Sequence, residues 1–193
     1  MKIKAIFITS LALALALPLP LSAEKYLIDT QGAHAFIQFR IQHLGFSWLS
    51  GRFNSFNGSF EYDEKQPAAA KVQVEIDTAS IDSNHAERDK HLRSDEFLDV
   101  AKFPKARFES TRFTEHGDGS ATLDGRLTLH GVTRPVRIAV EHIGHGPDPW
   151  GGYRRGFEGT TRLALADYGI NYNLGPKSKA LELKLSLEGV RQE

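Results

Sequence analysis

Residues 181–188 read Leu-Glu-Leu-Lys-Leu-Ser-Leu-Glu, and this stretch decides the fold. Leu181, Leu183, Leu185 and Leu187 alternate without exception with Glu182, Lys184, Ser186 and Glu188. Successive side chains of a β-strand point to opposite faces, so a period of two makes one apolar and one polar face; on a helix the same leucines would scatter around the axis. Working outward, the pattern recurs. Ala35, Ile37, Phe39 and Ile41 alternate with Phe36, Gln38, Arg40 and Gln42. Val72, Val74 and Ile76 alternate with Lys71, Gln73 and Glu75, and Val136, Ile138 and Val140 with Arg137, Ala139 and Glu141. Further strand-like runs cover Phe53 to Tyr62, Ala106 to Phe113, Ala121 to Leu129 and Phe157 to Ala166. Turn signals separate them: Asn57-Gly58 (or a bulge there), Gln66-Pro67, Gly117-Asp118-Gly119, His130-Gly131, Pro147-Asp148-Pro149 and Gly175-Pro176. About eight strands with one apolar face each must cover that face. A closed antiparallel barrel does so without leaving edges, and a two-sheet sandwich is the alternative.

The first residues address the chain elsewhere than the cytoplasm. Lys2 and Lys4 precede an apolar run from Ile6 to Leu17, Pro18 and Pro20 break it, and Leu21-Ser22-Ala23 ends on a small residue. That is the layout of a cleaved secretory signal peptide over residues 1–23, leaving one domain over 24–193 in the periplasm. The apolar run is too short and too Pro-broken for a bilayer-spanning helix of roughly 20 residues. The 193-residue chain has no cysteine, which removes disulfides, thiolate ligands and a thiol nucleophile together. Its 24 basic residues balance 24 acidic ones, so there is no basic field for nucleic acid. An outer-membrane barrel would also alternate, but here Lys, Arg and Glu would face lipid at a cost of a few kcal/mol each near mid-bilayer.

One segment departs from the strand pattern. Residues 84–99, NHAERDKHLRSDEFLD, read as a short helix with Asn84 as N-cap and Glu87 as its capping-box partner. His85, Arg88, Asp89, His91 and Arg93 crowd onto it. Asp89 with Arg93, and Glu87 with His91, stand at i, i+4 and can pair on the helix surface. An enzymatic reading would make His85, Asp89 or His91 an acid or base. Against a metal site, the other histidines are scattered and no HExxH-like spacing exists. No GxSxG or Gly-rich phosphate loop occurs either, so no catalytic residue and no metal ligand is assigned.

The barrel interior remains. An eight-stranded barrel either fills with side chains or holds one ligand. The candidate lining is Ile37, Phe39, Ile41, Phe46, Trp48, Phe56, Phe60, Val74, Ile76, Leu92, Phe97, Leu98, Leu127, Leu129, Ile138, Val140, Leu183 and Leu185. Such a lining would select a long apolar chain, with a polar head at the mouth near His85, Arg88, His91 and Arg93. The alternative for both arginines is pairing with Asp89, Asp95 or Glu96. Composition and alternation leave a filled core and a cavity equally open.

Specific segments then carry a resemblance: Gly32-Ala33-His34-Ala35-Phe36, RIQHLGFSWLSGRF from Arg40, NHAERDKHLRSDEFLD from Asn84, KFPKARFES from Lys102, LTLHGVTRPV from Leu127 and DPWGGYRRGFE from Asp148. The chain resembles the YceI-like family of bacterial periplasmic proteins over nearly all of Glu24 to Glu193. The resemblance implies an all-β, antiparallel, eight-stranded lipocalin-like barrel with one or two short helices. It further implies a cavity holding a polyisoprenoid or isoprenoid-quinone-type lipid, no required cofactor beyond that ligand, and no known catalytic activity. Whether two copies pair is left open.

Overall fold

The computed structural model describes residues 23–193; the expected signal peptide, but for its last residue Ala23, therefore lies outside the described residues. In chain order the elements are β1 (Glu24–Ile28), β2 (Phe36–His43), β3 (Ser47–Phe53), β4 (Phe56–Tyr62), β5 (Lys71–Asp77), β6 (Ile81–Asp82), α1 (Ala86–Arg93), β7 (Lys105–Glu115), β8 (Ser120–Leu129), β9 (Val132–Pro147), β10 (Tyr153–Ala164) and β11 (Ala180–Arg191). Short 3₁₀ turns at Pro67–Ala69, Thr78–Ser80 and Leu165–Tyr168 punctuate them.

These segments make eight staves. Both β1 and β2 run antiparallel to β11, β1 opposite its residues 189–191 and β2 opposite 182–186. Likewise β4 lies between β1 and β5, while β3 lies between β2 and β6. So β1/β2, β3/β4 and β5/β6 are three broken staves, and β7 to β11 are continuous ones. Each stave pairs with its sequence neighbour, and β1 with β11 closes the ring into an eight-stranded antiparallel barrel. Closure removes the free edges that an open sheet would expose.

The Asn57-Gly58 pair is neither turn nor bulge. Both residues sit inside β4 in regular register, opposite Glu75 and Val74. The glycine is there because the neighbouring strand is close: a Cβ at Gly58 would lie 2.4 Å from the Gln73 carbonyl oxygen. The expected single run from Phe53 to Tyr62 breaks at Asn54-Ser55, where Ser55 N–H donates to Ser80 Oγ and Asn54 N–H to Ser80 O. At His130-Gly131 the turn is as expected, with φ of 50° and 74° at the two residues joining β8 to β9, the pattern of a tight hairpin.

The helix is shorter than the charged segment and starts one residue later than expected. His85, not Asn84, caps it: His85 Nδ1 accepts the Arg88 N–H, while Asn84 precedes it at φ 60°. The expected i, i+4 pairs do not form. Asp89 is buried and accepts from the N–H and the hydroxyl of Ser83. Arg88 donates to Ser83 Oγ and O, and Arg93 donates to the carbonyls of Ala79 and Ile81. His91 pairs with Glu96 at 2.7 Å. The charges thus staple α1 to the backbone of residues 79–83, whose irregular path leaves carbonyls without strand partners. Asp89→Ala should cost about 2–3 kcal/mol in urea unfolding, because it strands two Ser83 donors in a buried place. A loss under about 0.5 kcal/mol would contradict this role.

Candidate functional site

The inward faces of the staves do not meet at the axis. Two apolar chambers with a shared stretch of wall run along it. The wider, about 480 Å³, lies beneath α1 and is walled by Phe39, Ile41, Leu92, Phe97, Leu98 and Leu129 among others. The narrower, about 110 Å³, lies deeper between Phe60, Val74, Ile138, Val140 and Leu185. Ile37, Ile76, Leu127, Leu163 and Leu183 line both and form the throat between them. Together the chambers fall within the roughly 300–1,000 Å³ usual for ligand pockets.

Most of the expected lining therefore faces the duct, with three corrections. Trp48 pairs with Gln42 in a register that turns it outward, where Arg40 stacks on its ring at 4.3 Å. Phe46 sits in the β2–β3 turn and is 88 % exposed. Phe56 packs against the core but lines neither chamber. In their place the duct recruits Phe113, Phe157, Val136 and Leu187, all on inward positions of the alternation, together with Leu174 and Tyr172 from the loop before β11. That loop carries no period and could not be assigned to a face from sequence.

The α1 end is the mouth. Leu44 and Tyr172 line the wider chamber and are yet 54 % and 43 % exposed, so the duct reaches solvent between the β2–β3 turn, the loop before β11 and α1. Of the four expected head-group residues, Arg88 and His91 border this chamber and His85 and Arg93 do not. His91 sets its ring edge-on to Phe97 and Tyr172 at 4.9 and 5.1 Å. The residues of the acid–base reading do not form one constellation: His85 caps the helix, Asp89 holds Ser83, and His91 holds Glu96.

The opposite end is closed by a polar cluster that the sequence reading missed. Tyr26 and Phe60 stack at 4.8 Å, Phe157 meets Phe60 edge-on, and beyond them lies Arg155, only 3 % exposed. Its guanidinium donates to Glu64 Oε1 at 2.5 Å and lies over the Tyr62 ring at 4.6 Å. His142 stands at 3.5 Å from it and 5.4 Å, ring to ring, from His145. These groups converge because of a bulge: β10 pairs Gly156 with Gly144 but Phe157 with His142, so Ile143 is the extra residue. A bulge changes the parity of the strand and so brings His145, otherwise on the opposite face, to the same side as His142. The glycine of Ile143-Gly144-His145 was the available signal for it. Burial, then the neighbouring Arg155 charge, holds the His142 imidazolium below its ordinary pKa. Burial and the Glu115 acceptor push the Tyr62 phenol well up.

A second cluster ties this end together from outside. Arg154 donates to Asp29, Asp148 and Glu188, and His34 pairs with Asp29 at 2.9 Å. These bonds lower the Asp29 carboxyl to about 2, His34 contributing most. Among the described residues, Asp29, His34 and Glu188 are the group with metal-ligand spacing, but Arg154 already supplies a cation to both carboxylates. No helix of the described residues is long and apolar enough to cross a membrane.

Comparison with known proteins agrees with this architecture. The profile of the YceI-like domain matches residues 26–189. A UPF0312 protein of Pseudomonas aeruginosa strain LESB58 is 61 % identical over 170 residues, covering 88 % of each chain. Among solved structures, BcnA of Burkholderia cenocepacia superposes with a TM-score of 0.73 at 18 % identity, over 83 % of this chain and 98 % of that one. A polyisoprenoid binding domain from Saccharophagus degradans, implicated in plant cell wall breakdown, gives 0.63 at 16 % identity, over 86 % and 98 %. At these identities the structures speak for the fold.

Proposed function

The chain belongs to the YceI-like domain family, and from that premise we infer that it is a lipid-binding protein which holds a polyisoprenoid or isoprenoid-quinone-type chain in the barrel. One observation carries the reading: a duct walled by hydrocarbon, open at one end and plugged by a buried arginine at the other. A long chain with a polar end fits that shape in one direction, tail toward Phe157 and head at the mouth beside Arg88 and His91. Each buried CH₂ contributes roughly 0.8 kcal/mol, so a dozen or more carbons outweigh the cost of ordering the ligand. Binding rather than catalysis is the role, since His85, Asp89 and His91 are each engaged elsewhere. That the similarly folded domain of Saccharophagus degradans is a polyisoprenoid binding domain supports the ligand class. The signal peptide over residues 1–23 directs the protein to the periplasm, where it carries or stores the lipid between membranes.

Mass spectrometry of an organic extract of the purified protein tests this. An isoprenoid lipid near one per chain is the expected result, with an intact mass beginning at Glu24. Repeated preparations free of lipid, together with no uptake of added prenyl lipid, would sink the reading.

A further inference from the structure

The two aromatic residues that fail to line the duct stand beside its mouth. Phe46 is 88 % and Trp48 46 % exposed, and both belong to the turn and strand that carry Leu44, itself on the rim. The turn is a tight hairpin with a leucine where Asn, Asp or Gly is the usual choice. Phe46 N–H donates to His43 O at 2.9 Å, and Leu44 and Gly45 take φ of 52° and 85°. Positive φ suits Gly, Asn or Asp; a bulky aliphatic residue there carries a conformational cost. Leu44 keeps more than half of its surface in water at this conformational cost, touching the barrel only along the rim of the wider chamber and at Gly175.

The loop before β11 packs on this turn. Ser178 donates its hydroxyl to Gln42 O, and the Gly45 and Gly175 positions abut the side chains of Lys177 and Leu44. Across residues 42–49 and 170–180 there is no Asp or Glu, whereas Lys177 and Lys179 are both present. Both lysines are exposed, and among the described residues neither has an acidic partner. The far end offers a contrast. Trp150 and Ile143 are also exposed there, but Trp150 lies beside Asp148, and Asp29 and Glu188 join that carboxylate around Arg154. Apolar side chains at the tip, flanked by uncompensated cations and set around the opening of a lipid-sized duct, match the polarity profile of an anionic bilayer surface.

We propose that the mouth of the barrel docks on anionic membrane surfaces, with Phe46, Leu44 and Trp48 entering the acyl boundary while Lys177 and Lys179 meet lipid phosphates. A chain then passes between bilayer and duct without crossing water. The purpose of the docking rests on the lipid-binding reading; its test does not. The protein is produced from its full chain, purified from the soluble fraction and sedimented with vesicles of phosphatidylglycerol and phosphatidylethanolamine, and with vesicles of phosphatidylcholine alone. The wild type should partition onto the anionic vesicles. F46S/W48S should weaken partition by about tenfold or more through lost apolar burial, and K177Q/K179Q by about fivefold for each lysine, on anionic vesicles only. I143S/W150S, at the far end, should bind as the wild type does. F46S/W48S lies outside the duct and should keep its lipid content, measured on the same preparations. Lipid retained by a wild type that ignores vesicles overturns the docking and leaves the binding function. Vesicle docking by a protein without lipid does the reverse. Equal partition of F46S/W48S and wild type also overturns it, as does a wild-type dimer that F46S/W48S makes monomeric without affecting sedimentation, since the patch would then serve a second copy.

Discussion

Leu163→Trp should leave the barrel folded and strip it of its lipid. Leu163 is buried on β10 and lines both chambers, so an indole there projects into the throat. Overpacking a close-packed core costs typically about 1–3 kcal/mol; here the added atoms enter empty space, and the unfolding midpoint should stay close to that of the wild type. The lipid has no such room. A tail stopped at the throat forfeits its deeper part, and losing even one five-carbon unit removes roughly 4 kcal/mol, about a thousandfold in affinity. Ile138→Trp blocks the deep chamber alone and should shift the bound population to shorter chains. Leu163→Met conserves volume and should change little. Extraction and mass spectrometry of the three variants reads all of this. Wild-type lipid content in a folded Leu163→Trp protein would show that the duct is not where the ligand lies.

The difference between what was legible and what was not follows from the range of the interactions. Alternation is local, and Leu181 to Glu188 declared one inward face without any partner in view. The same logic placed Ile37, Val74, Ile138 and Leu185 correctly on the duct. Closure into a ring was less visible, because β1 and β2 share one partner strand and the break between them carries no pattern that distinguishes a broken stave from two strands. Trp48 went astray because its stretch alternates weakly: Leu49, Gly51 and Phe53 take the inward positions, one of them a glycine, so the aromatic looked like the better core residue. For the helix, charge spacing allowed pairs along its own surface, whereas Arg88, Asp89 and Arg93 are used on backbone and hydroxyl groups of residues 79–83. Those acceptors are freed only by the 3₁₀ turn at Thr78–Ser80, a tertiary consequence. Arg155 was harder still. In Gly152-Tyr153-Arg154-Arg155-Gly156 two adjacent arginines read as surface charge, yet strand parity sends Arg154 outward to three carboxylates and Arg155 inward beneath Tyr62.

That inward arginine has the largest expected effect on stability. Arg155→Ala should destabilise the protein by about 2–5 kcal/mol, the range seen when a large buried side chain is truncated to alanine. Several losses combine. The guanidinium gives up its bond to Glu64 and its position over the Tyr62 and Tyr26 rings, contacts worth about 0.5–2 kcal/mol each when desolvated. A void opens at a site now 3 % exposed, and unfilled volume adds to the cost. Glu64 itself is largely in water, with its side chain 58 % exposed, so it rehydrates and is not left as an orphaned charge. Volume and apolar contact should therefore matter more than the charge. Arg155→Met should recover a good part of the loss, and Arg155→Lys should recover less, since a point charge lacks the planar fork that lies on the tyrosine faces. Equilibrium unfolding in urea orders the three variants, with Met above Lys above Ala. If Lys matches the wild type while Met falls with Ala, the plug is electrostatic. If Ala stays within about 1 kcal/mol of the wild type, Arg155 is no plug at all, and the duct must be closed by Tyr26, Phe60 and Phe157 alone.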